Sequence, residues 1–261
     1  MQEGGLWHFT VRFASGFAHA VAWPDFGRRR ADDETLNVPL ERIKGFLRAF
    51  TQSIGLERRV LESERLAGSH AAGSADLINL NVALQEAAGL GLVPIIKFML
   101  RAGANIHADD DAPLRFAVMN GCTEAVKVLL DAGADVHAWT DFALRTASID
   151  GDIGTVRALL AAGADVHALR DSALWRAAEN GHTGIVEALL DAGADVHAVE
   201  DTALRRAAKN GNTATVWVLL EAGADAQARN GAALRLAAIR GHFKTAVLLS
   251  NWMGDAANRR A

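Results

Sequence analysis

The chain has 261 residues, of which half are hydrophobic and only 6% are aromatic, with no tyrosine. Its 27 basic and 31 acidic residues give a net charge of −4, a balance that argues against a dedicated binder of nucleic-acid phosphates. A single cysteine, Cys122, excludes an internal disulfide and any Cys-x-x-Cys site for zinc or thiol redox chemistry, so we expect a reducing, intracellular location.

The amino-terminal region, residues 1–78, is predicted to cap the array that follows it, with a separate targeting or effector module as the alternative. Helical spacing of apolar residues predicts one helix from Leu36 to Phe50 and a second from Leu56 to Leu66. The Gly-, Ser- and Ala-rich stretch from Gly68 to Ala75 predicts a flexible link. A short strand is predicted where apolar residues alternate with polar ones, at Trp7, Phe9, Val11 and Phe13.

Two patterns decide where the protein is expected to reside. Ala18-His19-Ala20 is similar to a signal-peptidase site, but Glu3 replaces the expected basic start, so secretion by this route is the weaker hypothesis. No apolar run approaches the roughly 20 residues of a membrane-spanning helix. We expect a cytoplasmic protein that does not enter a membrane.

The second region, residues 79–261, contains an internal repeat with a step of 30 residues, which predicts six units. The units are about 79–108, 109–138, 139–168, 169–198, 199–228 and 229–258. GADVHA begins at Gly133, Gly163 and Gly193, with GANIHA at Gly103 and GADAQA at Gly223. Leucine keeps the same step at Leu84, Leu114, Leu144, Leu174, Leu204 and Leu234.

Each unit is predicted to form two short antiparallel helices. In the unit that begins at Leu169, Asp171 or Ser172 can cap a first helix that continues to Asn180. Thr183 can cap the second helix, and Gly193 can end it. Neither helix reaches the roughly 12 residues needed for stability in isolation, so the units must stack.

The segment ALWRAAENGHTGIVEALLDAGADVHA, residues 173–198, resembles the ankyrin-repeat consensus, which implies an all-α solenoid of six helix pairs. The step of 30 rather than 33 residues implies that the β-hairpin fingers of the family are truncated to short loops. The family's His position is occupied mainly by arginine, a short form that resembles ankyrin proteins of some bacteria and large DNA viruses. The arginines are Arg115, Arg145, Arg205 and Arg235.

The repeated arginines and histidines each allow two interpretations. The arginines could form a ladder for a phosphate backbone, but a structural bond to a loop carbonyl or a neighbouring carboxylate is favoured. The histidines occupy a loop position of the family and lie about 10 Å apart, too far to share one metal ion. We expect no metal site and no cofactor. The histidines are His107, His137, His167 and His197.

No catalytic motif is present, so we expect a non-enzymatic, monomeric scaffold or adaptor that binds a protein partner. A host-directed effector, possibly secreted, or an inhibitor that uses the same surface is the alternative, and an arginine-ladder nucleic-acid binder ranks below both. The resemblance implies that the partner contacts the concave face and loops. The predicted contact residues are Phe116, Met119, Trp139, Ile149, Arg170, Arg176, Glu179, Glu200, Arg206, Lys209, Arg229 and Arg240.

Overall fold

The computed structural model describes the backbone of residues 7–12, 18–23 and 80–260, and the side chains of residues 80–254. The chain divides into two compact units, Met1–Ala83 and Leu84–Ala261. The helices predicted over residues 36–50 and 56–66, and the link predicted over residues 68–75, lie outside the described residues.

The amino-terminal unit contains a β-hairpin. Strand β1, Trp7–Arg12, pairs antiparallel with strand β2, Ala18–Trp23, so that Trp7 is opposite Trp23 and Arg12 is opposite Ala18. The strand predicted from alternation is therefore confirmed as far as Arg12. Its partner strand was not predicted, and it adds a β element that the all-α assignment did not include.

Residues 80–260 form twelve helices in consecutive pairs, which confirms the predicted all-α solenoid of six helix pairs. We call the first helix of each pair the inner helix and the second the outer helix. The inner helices are α1 Leu80–Gly89, α3 Ala108–Met119, α5 Ala138–Asp150, α7 Ala168–Asn180, α9 Ala198–Lys209 and α11 Ala228–Ile239. The outer helices are α2 Val93–Arg101, α4 Thr123–Asp131, α6 Ile153–Ala161, α8 Thr183–Asp191, α10 Thr213–Glu221 and α12 Phe243–Arg260.

The core is a continuous apolar seam along the stacked pairs. Inner helices contact the inner helices of neighbouring pairs, and outer helices contact outer ones. Leu144 and Leu174 occupy equivalent places in adjoining layers, and each is at most 1% exposed. Outer helices α4 to α10 have only nine residues each, so their stability must come from this packing.

Each inner helix from α3 onward begins with three residues in the left-handed region, and we call this feature the left-handed turn. A non-glycine residue pays about 1 to 2 kcal/mol for this conformation. The turns stand where full-length repeats carry a β-hairpin, so the predicted truncation of the fingers is confirmed. They comprise residues 109–111, 139–141, 169–171, 199–201 and 229–231, with φ between 51° and 66°.

A buried aspartate holds each of the first four turns and joins it to the next repeat. Asp171 is 5% exposed, and its Oδ1 accepts a hydrogen bond of 2.8 Å from the backbone N–H of Asp195. Because the donor lies 24 residues further along the chain, the bond connects successive units. The same bond, at 2.7 to 2.8 Å, joins Asp111 to Asp135, Asp141 to Asp165 and Asp201 to Asp225.

A histidine is the second partner of each buried aspartate. The Nδ1 of His167 lies 3.1 Å from Oδ1 of Asp171, and the ring is more than half exposed. The sixth repeat lacks both members of the pair, since Gln227 replaces the histidine and Gly231 the aspartate. This joint replacement indicates that the two residues act as a unit. The other pairs are His107–Asp111, His137–Asp141 and His197–Asp201, at 3.1 to 3.2 Å.

Hydroxyl groups at the starts of the outer helices form a further contact between repeats. Thr183 Oγ1 lies 2.8 Å from Thr215 Oγ1, and Thr213 Oγ1 lies 2.7 Å from Thr245 Oγ1. The predicted capping by Thr183 is wrong, because α8 follows His182 and has no side-chain cap. Capping by Ser172 is also wrong, since its buried Oγ has no hydrogen-bond partner.

Removal of one buried carboxylate should weaken the joint between two repeats. We expect Asp171→Ala to lower the free energy of unfolding by about 1 to 3 kcal/mol, because the N–H of Asp195 loses its acceptor. Urea unfolding followed by circular dichroism measures this change. Asp191→Ala, at an exposed position on α8, is the control and should stay within about 0.5 kcal/mol. Equal effects of the two substitutions would contradict the role of the joint.

Glycine should be favourable inside a left-handed turn. Thr140 has φ 57°, and relief of this conformation exceeds the entropy cost of glycine, so Thr140→Gly should add about 0.5 kcal/mol to the free energy of unfolding. Ala188→Gly, within the right-handed helix α8, should remove about 1 kcal/mol. Thermal unfolding of both variants checks the opposite signs, and destabilisation by Thr140→Gly would show that this turn is not strained.

Candidate partner-binding surface

The repeated arginines close the left-handed turns from the solvent side. Arg145 donates from Nε to the carbonyl oxygen of Thr140 and from Nη2 to that of Trp139, both at 3.1 Å. Arg205 donates in the same way to Glu200 and Val199. The structure therefore supports the loop-carbonyl form of the structural interpretation over the carboxylate form. Arg115 and Arg235 bond the matching carbonyl oxygens of their own turns.

The fourth repeat has Trp175 in place of this arginine. The guanidinium carbon of Arg206 lies 4.2 Å from the Trp175 ring centroid, and that of Arg176 lies 4.6 Å from it. Arg206 also forms an ion pair of 2.5 Å with Glu179. The tryptophan thus collects two cations from adjoining inner helices onto one aromatic ring.

Neighbouring guanidinium groups perturb one another on this face. Burial lowers the pKa of Arg145, and the positive charge of Arg176 lowers it further. Burial likewise lowers the pKa of Arg205, with additional contributions from Arg229 and Arg206. Arginine remains protonated in proteins, so both groups are cations held close to like charges.

Residues that follow the inner helices make structural contacts. His182 Nε2 lies 2.9 Å from the carbonyl oxygen of Ile149, and the His182 ring leaves no room for a side chain at Gly151. Cys122 occupies the equivalent place two repeats earlier, where its Sγ lies 3.5 Å from the carbonyl oxygen of Gly89. Burial raises the pKa of the Cys122 thiol, which disfavours the nucleophilic thiolate. Among the described residues, no group of His, Cys, Asp or Glu is arranged to hold a metal ion.

A family model described as ankyrin repeats (3 copies) matches residues 64–140, 139–200 and 174–259. The chain belongs to the ankyrin-repeat family. Ankyrin repeats are generally modules of protein–protein interaction, and proteins of this family are typically not enzymes.

A solved structure supports the same assignment. The crystal structure of the human ASB11 ankyrin repeat domain is 26% identical to this chain, with a TM-score of 0.58. The match covers 65% of this chain and 82% of the human chain. No curated protein matches the sequence. No helix in the described part of the chain is long and apolar enough to cross a membrane.

The predicted contact residues on the inner ankyrin helices all reach the surface. Phe116 is 42% exposed and Met119 is 58% exposed. Met119 has equivalents in three later repeats, which are half-buried at the same helix position. These equivalents are Ile149, Glu179 and Lys209, while Arg176 and Arg206 are half-buried beside them and Arg240 is exposed.

The predicted residues of the left-handed turns lie in two different registers. Trp139 and Arg229 are first residues of their turns, whereas Arg170 and Glu200 are second residues. Glu200 and Arg229 nevertheless meet across adjacent repeats in an ion pair. The prediction therefore missed two apolar first residues, Leu169 and Val199, which are 56% and 42% exposed. A strict 30-residue step from Trp139 would have identified them.

The outer face carries one exposed aromatic contact. Trp217 on α10 is 48% exposed and meets Trp252 on α12 edge to face, with ring centroids 5.7 Å apart. The packing of these two tryptophans was one of the two roles predicted for Trp217. Its presence at an outer-helix position is accounted for by this intramolecular contact.

Replacement of a turn-closing arginine should weaken the fold. Arg145→Lys retains the charge but loses the planar fork that reaches two carbonyl oxygens, so we expect the free energy of unfolding to fall by about 1 kcal/mol. Chemical denaturation measures the change. Arg157→Lys, on the exposed face of α6, should leave stability within about 0.5 kcal/mol. Unaltered stability of Arg145→Lys would return the arginine column to a purely functional role.

Proposed function

We propose that the repeat domain is a non-enzymatic scaffold that binds a protein partner on its inner helices and left-handed turns. The observation that carries this proposal is the division of each repeat into constant and variable positions. The buried leucine and the aspartate–histidine unit recur, whereas the exposed inner-helix positions change from repeat to repeat. Met119, Ile149, Glu179 and Lys209 illustrate the variation at one such position.

Rigidity supports the same function. Every left-handed turn from 109–111 to 199–201 is fixed by a buried carboxylate, so the exposed side chains of adjacent turns are held at set positions. A preorganised surface loses less conformational entropy on binding, which favours affinity. The variable side chains include Trp139 and several arginines, residue types that often supply most of the energy of an interface.

Site-specific photo-cross-linking tests this proposal. A benzoylphenylalanine at Met119, on inner helix α3, should form protein adducts in a lysate of the native organism. The same group at Lys127, on outer helix α4, is the matched control and should form few adducts, because both positions are exposed in the same repeat. Adducts of equal yield at both positions, nuclease-sensitive adducts alone, or no adducts at either position would overturn the proposal.

A further inference from the structure

Charge is segregated between the two faces of the repeats from α3 onward. The inner helices carry mostly basic residues, and the outer helices with the loops that follow them carry mostly acidic ones. Since the whole chain is acidic, with a net charge of −4, the positive field is local to the inner face. The inner-helix cations are Arg115, Arg145, Arg176, Arg205, Arg206, Lys209 and Arg235. The acidic residues of the opposite face include Asp131, Asp135, Asp165, Glu187, Asp191, Glu221 and Asp225.

Three central cations, Arg145, Arg176 and Arg205, form what we call the basic row. Within the described part of the chain, none of the three has a carboxylate at ion-pair distance, because Arg145 and Arg205 bond carbonyl oxygens and Arg176 lies on the Trp175 ring. The buried Nε of Arg176 has no hydrogen-bond partner. The row therefore keeps positive charge that the fold does not neutralise.

An apolar strip lies directly beside the basic row. It consists of Trp139, Leu169 and Val199, the first residues of three consecutive left-handed turns, and these side chains are 55%, 56% and 42% exposed. The two features are adjacent because Arg145 bonds the carbonyl oxygen of Trp139 and Arg205 bonds that of Val199. The surface thus offers cations and apolar side chains in parallel over three repeats.

We propose that the basic row and the apolar strip together bind an acidic, extended segment of the protein partner, in which carboxylates alternate with aliphatic or aromatic side chains. Three repeats span about 20 Å between the first and the last, at roughly 10 Å per helix layer. At about 3.3 Å per residue, an extended peptide of six or seven residues covers this distance. Carboxylates at alternate positions would face the arginines, and the intervening side chains would face the strip.

The surface suits a short acidic peptide better than a nucleic-acid strand. A continuous phosphate backbone would pass from the basic row to carboxylates on both sides, at Asp109 and Asp110 in the first turn and at Glu200 in the fourth. A strand that stays on the row finds only three unneutralised cations, and each phosphate contact that is lost reduces affinity. The apolar strip also gives a peptide side-chain contacts that a sugar-phosphate chain does not make.

Fluorescence anisotropy with the full chain tests this inference, which rests on the proposed protein-binding function. The probe is a labelled seven-residue peptide of glutamate with leucine at its second, fourth and sixth positions. We expect it to bind, and we expect Arg176→Gln to weaken binding at least fivefold. Arg157→Gln, which removes the same charge from outer helix α6, should change the affinity by less than twofold. Leu169→Ser should weaken this peptide more than one of glutamate alone.

Several results would overturn the inference. These are no binding of the acidic peptide, equal binding of a peptide with lysine in place of glutamate, equal losses for Arg176→Gln and Arg157→Gln, or tighter binding of a seven-nucleotide single strand of DNA. Arg176 bonds no turn carbonyl, so Arg176→Gln should retain the native circular dichroism spectrum. Its unfolding midpoint is measured beside each titration, and a loss of binding that follows from unfolding counts against the inference.

The outcome separates this inference from the proposed function. If the acidic peptide fails while benzoylphenylalanine at Met119 still cross-links protein, the scaffold function stands and the acidic partner is wrong. If the peptide binds while no position on the inner helices cross-links protein, the surface has the inferred chemistry but the scaffold function fails.

Discussion

The hydrogen bond from each buried aspartate to the backbone of the next repeat is the interaction on which the structure depends. Asp171 illustrates it, since one oxygen accepts from the N–H of Asp195 and the carboxylate also meets His167. A buried carboxylate without partners would be costly, so each bond to it stabilises the fold. The bond acts twice, because it fixes a left-handed turn and links two layers of helices.

This interaction explains how a repeat of 30 residues keeps the ankyrin architecture without its fingers. Three successive residues in the left-handed region form a turn short enough to replace a β-hairpin, but the conformation is unfavourable for Thr140 or Val199. The aspartate bonds the turn from the buried side, and Arg145 or Arg205 bonds its carbonyl oxygens from the exposed side. Strain in the backbone is thus offset by contacts on both sides of the turn.

The sequence predicted the features that depend on periodic spacing. The helix pairs, their register and the truncated fingers all follow from the columns of leucine, alanine and glycine. The left-handed turns could not be predicted, because Val199 prefers extended backbone and its conformation is imposed by Asp201, whose bond partner lies 24 residues away. For the same reason Asp171 was assigned to its own helix, although it bonds the next repeat.

The candidate surface was predicted in outline but not in its chemistry. The exposed inner-helix residues follow from the resemblance, whereas the charges left without carboxylates depend on which arginine bonds which group. Arg206 and Arg176 occupy the same position in adjacent repeats, yet Glu179 pairs with Arg206 and not with Arg176. The exposed Leu169 and Val199 were missed because the turn residues were taken from two registers.

Hydrogen exchange of individual backbone amides, followed by NMR, measures the central interaction most directly. The amides of Asp135, Asp165, Asp195 and Asp225 lie in connections between helices, where exchange is usually fast. If the aspartate bonds join the repeats, these amides will exchange as slowly as those in the middle of the inner helices. Exchange at the rate of an unstructured peptide would show that the carboxylates do not hold the next repeat, and it would contradict this account of the fold.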